Sequence, residues 1–229
     1  MNGIRRLALV VAAATVPATA WAQTTADFEG FTFTQTDYSC APFGELVTAP
    51  VPFGYAGLNW DDFYVLNPGL CRPGDPHPNP YDLSGYTNGR VSGTNVGYAG
   101  FGFPSAIWSP GPFTFNSIYL TAAWNNGMTV LVKGYGGGST PLYSRTLILD
   151  SEAPTLFPFN WTGLNRVTLE TDLDHQGANA GYGGSGPQFV VDDMLFNAEV
   201  VPEPVTLLLL GTGLAGLAGI RRRRKNATD

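Results

Sequence analysis

Residues 113–135, "FTFNSIYLTAAWNNGMTVLVKGY", decide the fold class. Apolar side chains recur at every second position: Phe113 and Phe115, then Ile118, Leu120 and Ala122, then Met128, Val130 and Val132. That period marks extended chain with one buried face, because successive side chains of a strand point to opposite sides. The phase slips by one residue at Asn116-Ser117, which predicts a β-bulge. Asn126-Gly127 separates the last two runs, and both residues tolerate positive φ. The pair therefore predicts a two-residue hairpin turn.

Working outward, the same alternation returns in short runs bounded by Gly, Pro and Asn. Phe28-x-x-Phe31-x-Phe33 opens the series, and Leu58-x-Trp60 leads into Phe63–Leu66. Leu142–Leu149, Val167-x-Leu169 and Phe189–Phe196 complete it. No amphipathic helical stripe interrupts these runs, and about eight strands at this spacing predict an all-β fold. The expected architecture is an antiparallel β-sandwich, jelly-roll-like. Two stretches read as loops. "PGLCRPGDPHPNPY" (68–81) holds five prolines, and "DHQGANAGYGGSGP" (174–187) is glycine-rich.

The two ends follow different rules. Arg5 and Arg6 precede an apolar run from Leu7 to Val16, and Ala20-Trp21-Ala22 has the small-x-small pattern of a cleavage site. Residues 1–22 read as a signal peptide cut after Ala22. Near the other end, Val205–Ile220 is a run of sixteen uncharged residues. As a helix it would reach about 24 Å, close to a hydrocarbon core of about 30 Å. Residues 205–220 are therefore expected to form a C-terminal transmembrane helix. Arg221, Arg222, Arg223, Arg224 and Lys225 would hold its end in the cytoplasm and leave the preceding chain outside the inner membrane.

Pro202-Glu203-Pro204, the glycine-interrupted apolar run and the arginine cluster stand in that order over residues 201–225. Together they resemble the PEP-CTERM sorting tail of exported bacterial proteins. The resemblance implies recognition by an exosortase near Pro202-Glu203-Pro204, transient residence in the inner membrane, and delivery to the cell surface or matrix of bacteria that make exopolysaccharide. The expected organisation is then a signal peptide (1–22), a β-sandwich domain (23–200), the sorting tail (201–225) and a short polar end (226–229).

Trimming both ends changes the electrostatics. Residues 23–200 keep five of the twelve Lys and Arg and sixteen of the eighteen Asp and Glu, a balance of 5 − 16 = −11. Such a surface repels nucleic acid and anionic lipid, and favours cations or neutral ligands. Cys40 and Cys71 are the only cysteines, and an even number in an exported chain predicts one disulfide.

Candidate chemistry is sparse. His77 and His175 lie in the two loop stretches, and no nucleophile elbow or zinc-binding helix motif accompanies them. Asp61-Asp62, Asp172-x-Asp174 and Asp192-Asp193 offer paired carboxylates, but neighbouring aspartates on a strand face opposite ways. If the first and last strands pair, Glu29 approaches Asp192 and Asp193, a candidate calcium site of hard oxygen donors. The alternative is that one aspartate binds local amides while the other faces water. Trp124, Asn125 and Asn126, with Asn160 and Trp161, combine an aromatic face with amides at strand ends. That composition suits a sugar, although at least two of Trp60, Trp108, Trp124 and Trp161 should fill the core. The expected protein is a non-catalytic surface or matrix component associated with exopolysaccharide. Its partners would be signal peptidase and an exosortase during export. The alternatives are a structural or adhesive component without a ligand site and, third, a secreted glycoside hydrolase.

Overall fold

A computed structural model describes residues 23–33, 48–69 and 84–197. The signal cleavage at Ala20 and Ala22, the pairing of Cys40 with Cys71 and the tail from Pro202 through Arg224 lie outside these residues. Among the described residues no helix is long and apolar enough to cross a membrane.

The regular structure of the described residues is almost entirely antiparallel β. Its strands are β1 (Thr24–Ala26), β2 (Ala49–Pro50), β3 (Asn59–Asp61), β4 (Tyr64–Leu66), β5 (Val96–Ala99) and β6 (Ser105–Ala122). The second half adds β7 (Asn125–Asn126), β8 (Met128–Tyr135), β9 (Pro141–Leu149), β10 (Thr155–Thr171), β11 (Ala178–Asn179) and β12 (Phe189–Phe196). Among the described residues, helical structure is confined to a 3₁₀ turn at Tyr55–Gly57 and one α-turn, α1 (Gly85–Asn88), capped by the Ser84 hydroxyl. Ten strands form one sheet in the order β2-β4-β5-β12-β6-β10-β8-β9, with β1 added on β12 and β3 on β6.

Two long strands make this sheet double back. The first part of β6 pairs with β3 and with the second half of β10, while its later part pairs with β12 and the first half of β10. Pro110 and Pro112 fall between the two parts, where missing amide donors break the ladder with β10. One wing is thus β3-β6-β10-β8-β9, and the other is β2-β4-β5-β12-β6-β10. Their inner faces meet in a single core: Ile107, Val130, Val132, Leu147, Val167 and Leu169 from the first wing, and Val65, Phe115, Ile118, Phe189, Val191 and Met194 from the second. A smaller cluster of Leu66, Tyr86, Val96, Tyr98, Ala123, Trp124 and Val190 lies apart from it, with α1 contributing Tyr86.

The phase slip at Asn116 is a real irregularity. Between Ser117 and Phe115 the partner strand β12 advances only from Leu195 to Phe196, so Asn116 is the extra residue. The hairpin expected at Asn126-Gly127 does not form. β8 pairs with β10 and β9, not with β6, and the chain uses this turn to pass from one wing to the other. Gly127 has φ +75, as the sequence demanded, yet Asn125–Asn126 pairs with Ala178–Asn179 of the glycine-rich stretch. Local turn chemistry specified the bend. The burial of two inward faces against one core specified where the next strand went.

Candidate functional site

The outer face of the first wing carries an ordered array of side chains. Ile107, Val132 and Val167 point into the core, so Trp108, Lys133 and Arg166 point outward by alternation. Arg166 stands directly opposite Tyr135 on β8 and directly opposite Trp108 on β6. Tyr135, Arg166 and Trp108 therefore form one row across three strands. Directly opposed residues of antiparallel strands hold their Cβ atoms about 5 Å apart, so these side chains share one patch. The Arg166 Cζ lies 4.4 Å from the Tyr135 ring centroid. The Trp108 indole N–H donates to Asp61 Oδ2 at 2.9 Å, and Phe53 meets the Trp108 ring edge-on at 5.5 Å.

The next rows continue the face as a groove of about 490 Å³ lined by Thr129, Leu131, Lys133, Thr146, Glu170 and Asp172, among others. Lys133 Nζ lies 3.9 Å from Glu170 Oε2. Asp172 Oδ2 lies 2.9 Å from His175 Nδ1, and this bond, with the Asp174 amide, holds its carboxyl below the usual range. Leu173, half exposed, and Gly102 border the groove. A groove of this size, with Leu131 and Leu173 among several polar side chains, is large enough for a small ligand.

The residues expected from sequence lie elsewhere. Trp124 is only 6 % exposed, packed edge-to-face on Tyr86 at 5.4 Å. The glycine-rich stretch runs over it: Ala180 N donates to the Trp124 carbonyl, and a Cβ at Gly184 would fall 2.4 Å from the indole ring. Asn125 is buried with its amide on the Gly186 carbonyl, and Asn126 Oδ1 accepts from Ser151 N and Oγ. Trp161 stacks on Tyr143 at 5.2 Å and packs edge-on against Phe159, on the edge of the main core. Asn160 beside it is exposed at φ +52 and accepts from Asn116 Nδ2 at 3.3 Å. Trp161 is opposite Phe115, nine positions along the chain from Trp124, so the two groups do not converge. Both tryptophans, with Trp60, serve packing, and Trp108 is the one whose indole lies on the outer face. Its signal was available: "SAIWSP" places a tryptophan beside an inward isoleucine.

The first and last strands do pair, β1 against β12. Glu29, Asp192 and Asp193 are drawn to one loop, residues 91–95, but they accept its hydrogens. Asp192 Oδ2 takes Val91 N at 2.7 Å and Ser92 N at 3.2 Å, and Asp193 Oδ1 takes the Ser92 hydroxyl at 2.8 Å. Glu29 Oε1 takes Asn95 N at 2.7 Å and Thr94 N at 3.0 Å. At Gly93, φ is +51 and a Cβ would strike the Glu29 carboxylate, so the close approach needs glycine. Among the described residues no group of three or more His, Cys, Asp or Glu is placed to hold a metal ion. Asp192 is fully buried, and burial pushes its carboxyl up to about 6 against the amide bonds that lower it.

Residues 200–224 match the PEP-CTERM protein-sorting motif, which marks an exported chain sorted through an exosortase. No curated protein matches the sequence. Among solved structures, the K1 cleaved adhesin domain of Lys-gingipain from Porphyromonas gingivalis W83 aligns at 10 % identity and TM-score 0.37, covering 68 % of this chain and 99 % of that one. TmCBM61 in complex with β-1,4-galactotriose aligns at 9 % identity and TM-score 0.31, covering 61 % and 85 %. A family 16 carbohydrate-binding module aligns at 11 % identity and TM-score 0.25, covering 47 % and 79 %.

Proposed function

We propose that this chain, carrying a PEP-CTERM sorting motif, is an exported, non-catalytic polysaccharide-binding protein of the cell surface or matrix. Its working part is residues 23–200, a jelly-roll-like β-sandwich, and residues 1–22 and 201–225 serve transit. The observation that carries the reading is the row Tyr135–Arg166–Trp108 leading into the groove over β8 and β10. Sugar rings present C–H faces that stack on aromatics and hydroxyls that bond to oriented polar groups. Trp108 and Tyr135 supply the first need, and Thr129, Thr146, Glu170 and Asp172 the second.

Hydrolysis is less well supported. A glycosidase needs one carboxyl held protonated near neutral pH, opposite a second carboxylate. In the groove Glu170 is paired with Lys133, and Asp172 is pulled down by His175. The carboxyl that burial pushes up, Asp192, sits instead beneath the 91–95 loop.

The test is affinity electrophoresis of the mature protein through gels containing single polysaccharides, including the exopolysaccharide of its own organism. Retardation by at least one polymer, lost in Trp108→Ala, is expected. Free migration through every polymer would sink the reading.

A further inference from the structure

We infer, resting on the reading above, that the outer face beside the groove takes an acidic polysaccharide, with Arg166 gripping the carboxylate of a uronic acid whose ring lies on Trp108. The domain's net negative charge disfavours anions in general, so an anionic group can be held only where a cation is available, and the described residues include four Lys or Arg side chains. Three are committed: Arg90 Nε to the Thr87 carbonyl, Lys133 to Glu170, and Arg145 Nη1 to the Pro158 carbonyl. Arg166 is exposed and makes no hydrogen bond or ion pair among the described residues; its one contact is the Tyr135 ring.

That contact is what makes it a binding group. Ring contact orients a guanidinium without consuming its N–H donors, and its planar fork matches a carboxylate with two parallel bonds. The cation is also positioned. Trp108, directly opposite, is fixed by Asp61, and a uronic acid ring stacked on it with C5 turned along the row places its carboxylate beside Arg166. Asp61 accepts from the indole and forms no ion pair with Arg166.

The rest of the groove limits how acidic the polymer is. Asp172 lies further along the same face, beside a Glu170 already paired with Lys133, and repels a second carboxylate. The chemistry therefore fits a heteropolymer in which single uronic acids are separated by neutral sugars, rather than a polyuronate.

The test uses the mature protein with gellan, which has one glucuronic acid in each four-sugar repeat, gellan with its carboxyls reduced to primary alcohols, polygalacturonate and neutral dextran. Affinity electrophoresis should show at least tenfold tighter binding to gellan than to the other three. Arg166→Gln should remove that preference, and Arg166→Lys, which keeps the charge but loses the fork, should restore only part of it. Circular dichroism melting reports whether each variant is folded. Equal affinity for native and reduced gellan, or retention by dextran alone, would overturn the carboxylate assignment and leave polysaccharide binding intact. Preference for polygalacturonate would overturn the spacing argument. Failure to bind any polymer, the organism's own included, would remove both this inference and the function on which it rests.

Discussion

Trp108 and Asp61 are joined across adjacent strands by an indole N–H···carboxylate bond of 2.9 Å on the outer face of the sheet. The bond fixes the ring plane on which a sugar would lie. Asp61→Ala should weaken polysaccharide binding by about fivefold, the equivalent of about 1 kcal/mol, because Trp108 must then be ordered by the ligand itself. Asp61 is exposed, so the melting temperature should change little. Isothermal calorimetry beside thermal melting separates the two effects, and a large loss of stability with unchanged affinity would contradict the assignment.

Asp192 makes stability depend on pH with an unusual sign. Its carboxyl is raised from 3.8 to about 6 by burial, so below about pH 4 it is protonated in both folded and unfolded chains. Between about 4 and 6 the folded chain retains the proton longer. Stability from this group is therefore full at the acid end, falls as pH rises through 6, and levels off above. The decline is on the order of 3 kcal/mol. Chemical denaturation from pH 4 to 8, compared with Asp192→Asn, should show this slope in the difference between the two proteins. Parallel curves would assign the effect to another group.

Gly184 lies so close to Trp124 that any side chain collides with the indole. Gly184→Ala should lift the glycine-rich stretch, shift tryptophan emission to the red and destabilise by about 1–3 kcal/mol, the usual cost of overpacking. Gly137 has open space around it and no positive φ, so Gly137→Ala should stay within about 0.5 kcal/mol of the parent. Identical behaviour of the two variants would mean that the stretch does not seal Trp124.

Arg145 covers an open strand edge. The first half of β10 pairs with β6 alone, and Arg145 donates to its Pro158 carbonyl at 2.7 Å while lying over Phe157 and Phe159. Tyr143 donates to the Thr162 carbonyl further along the same strand at 3.4 Å. Arg145→Ala should cost about 1 kcal/mol, roughly 2–4 °C in melting temperature, and expose an edge that pairs with a second molecule. Light scattering after size-exclusion chromatography checks the second effect, and a strictly monomeric variant would argue against edge protection.

Replacing Glu203 and its flanking prolines by alanine should trap full-length protein in the inner membrane. Membrane fractionation followed by immunoblotting reads this directly. Release at the normal size and rate would show that Pro202-Glu203-Pro204 is not the sorting signal.

The sequence alone determined the things that depend on neighbouring residues. Alternation in Met128–Val132 marked a strand and its inward face, because extended chain has a side-chain period of two wherever it lies. The slip at Asn116 located an irregularity, and the pairing of the first and last strands was foreseen. The sorting motif was legible because its receptor reads a short linear signal. Tertiary structure decided what depends on partners distant in the chain. Asn126-Gly127 favours a tight turn, but which strand pairs beyond it is set by core burial over the whole sheet. A tryptophan carries the same apolar ring whether it packs or binds. Trp124 became core because Gly184, sixty residues later, lies against it, and Trp108 became a candidate platform because Arg166 and Asp61 arrive on neighbouring strands. Likewise the carboxylates of Glu29 and Asp192 became loop clamps because the amides of residues 91–95 reached them. Hydrogen-bond donors are anonymous in a sequence, since every residue but proline carries one, and only the fold assigns them to an acceptor.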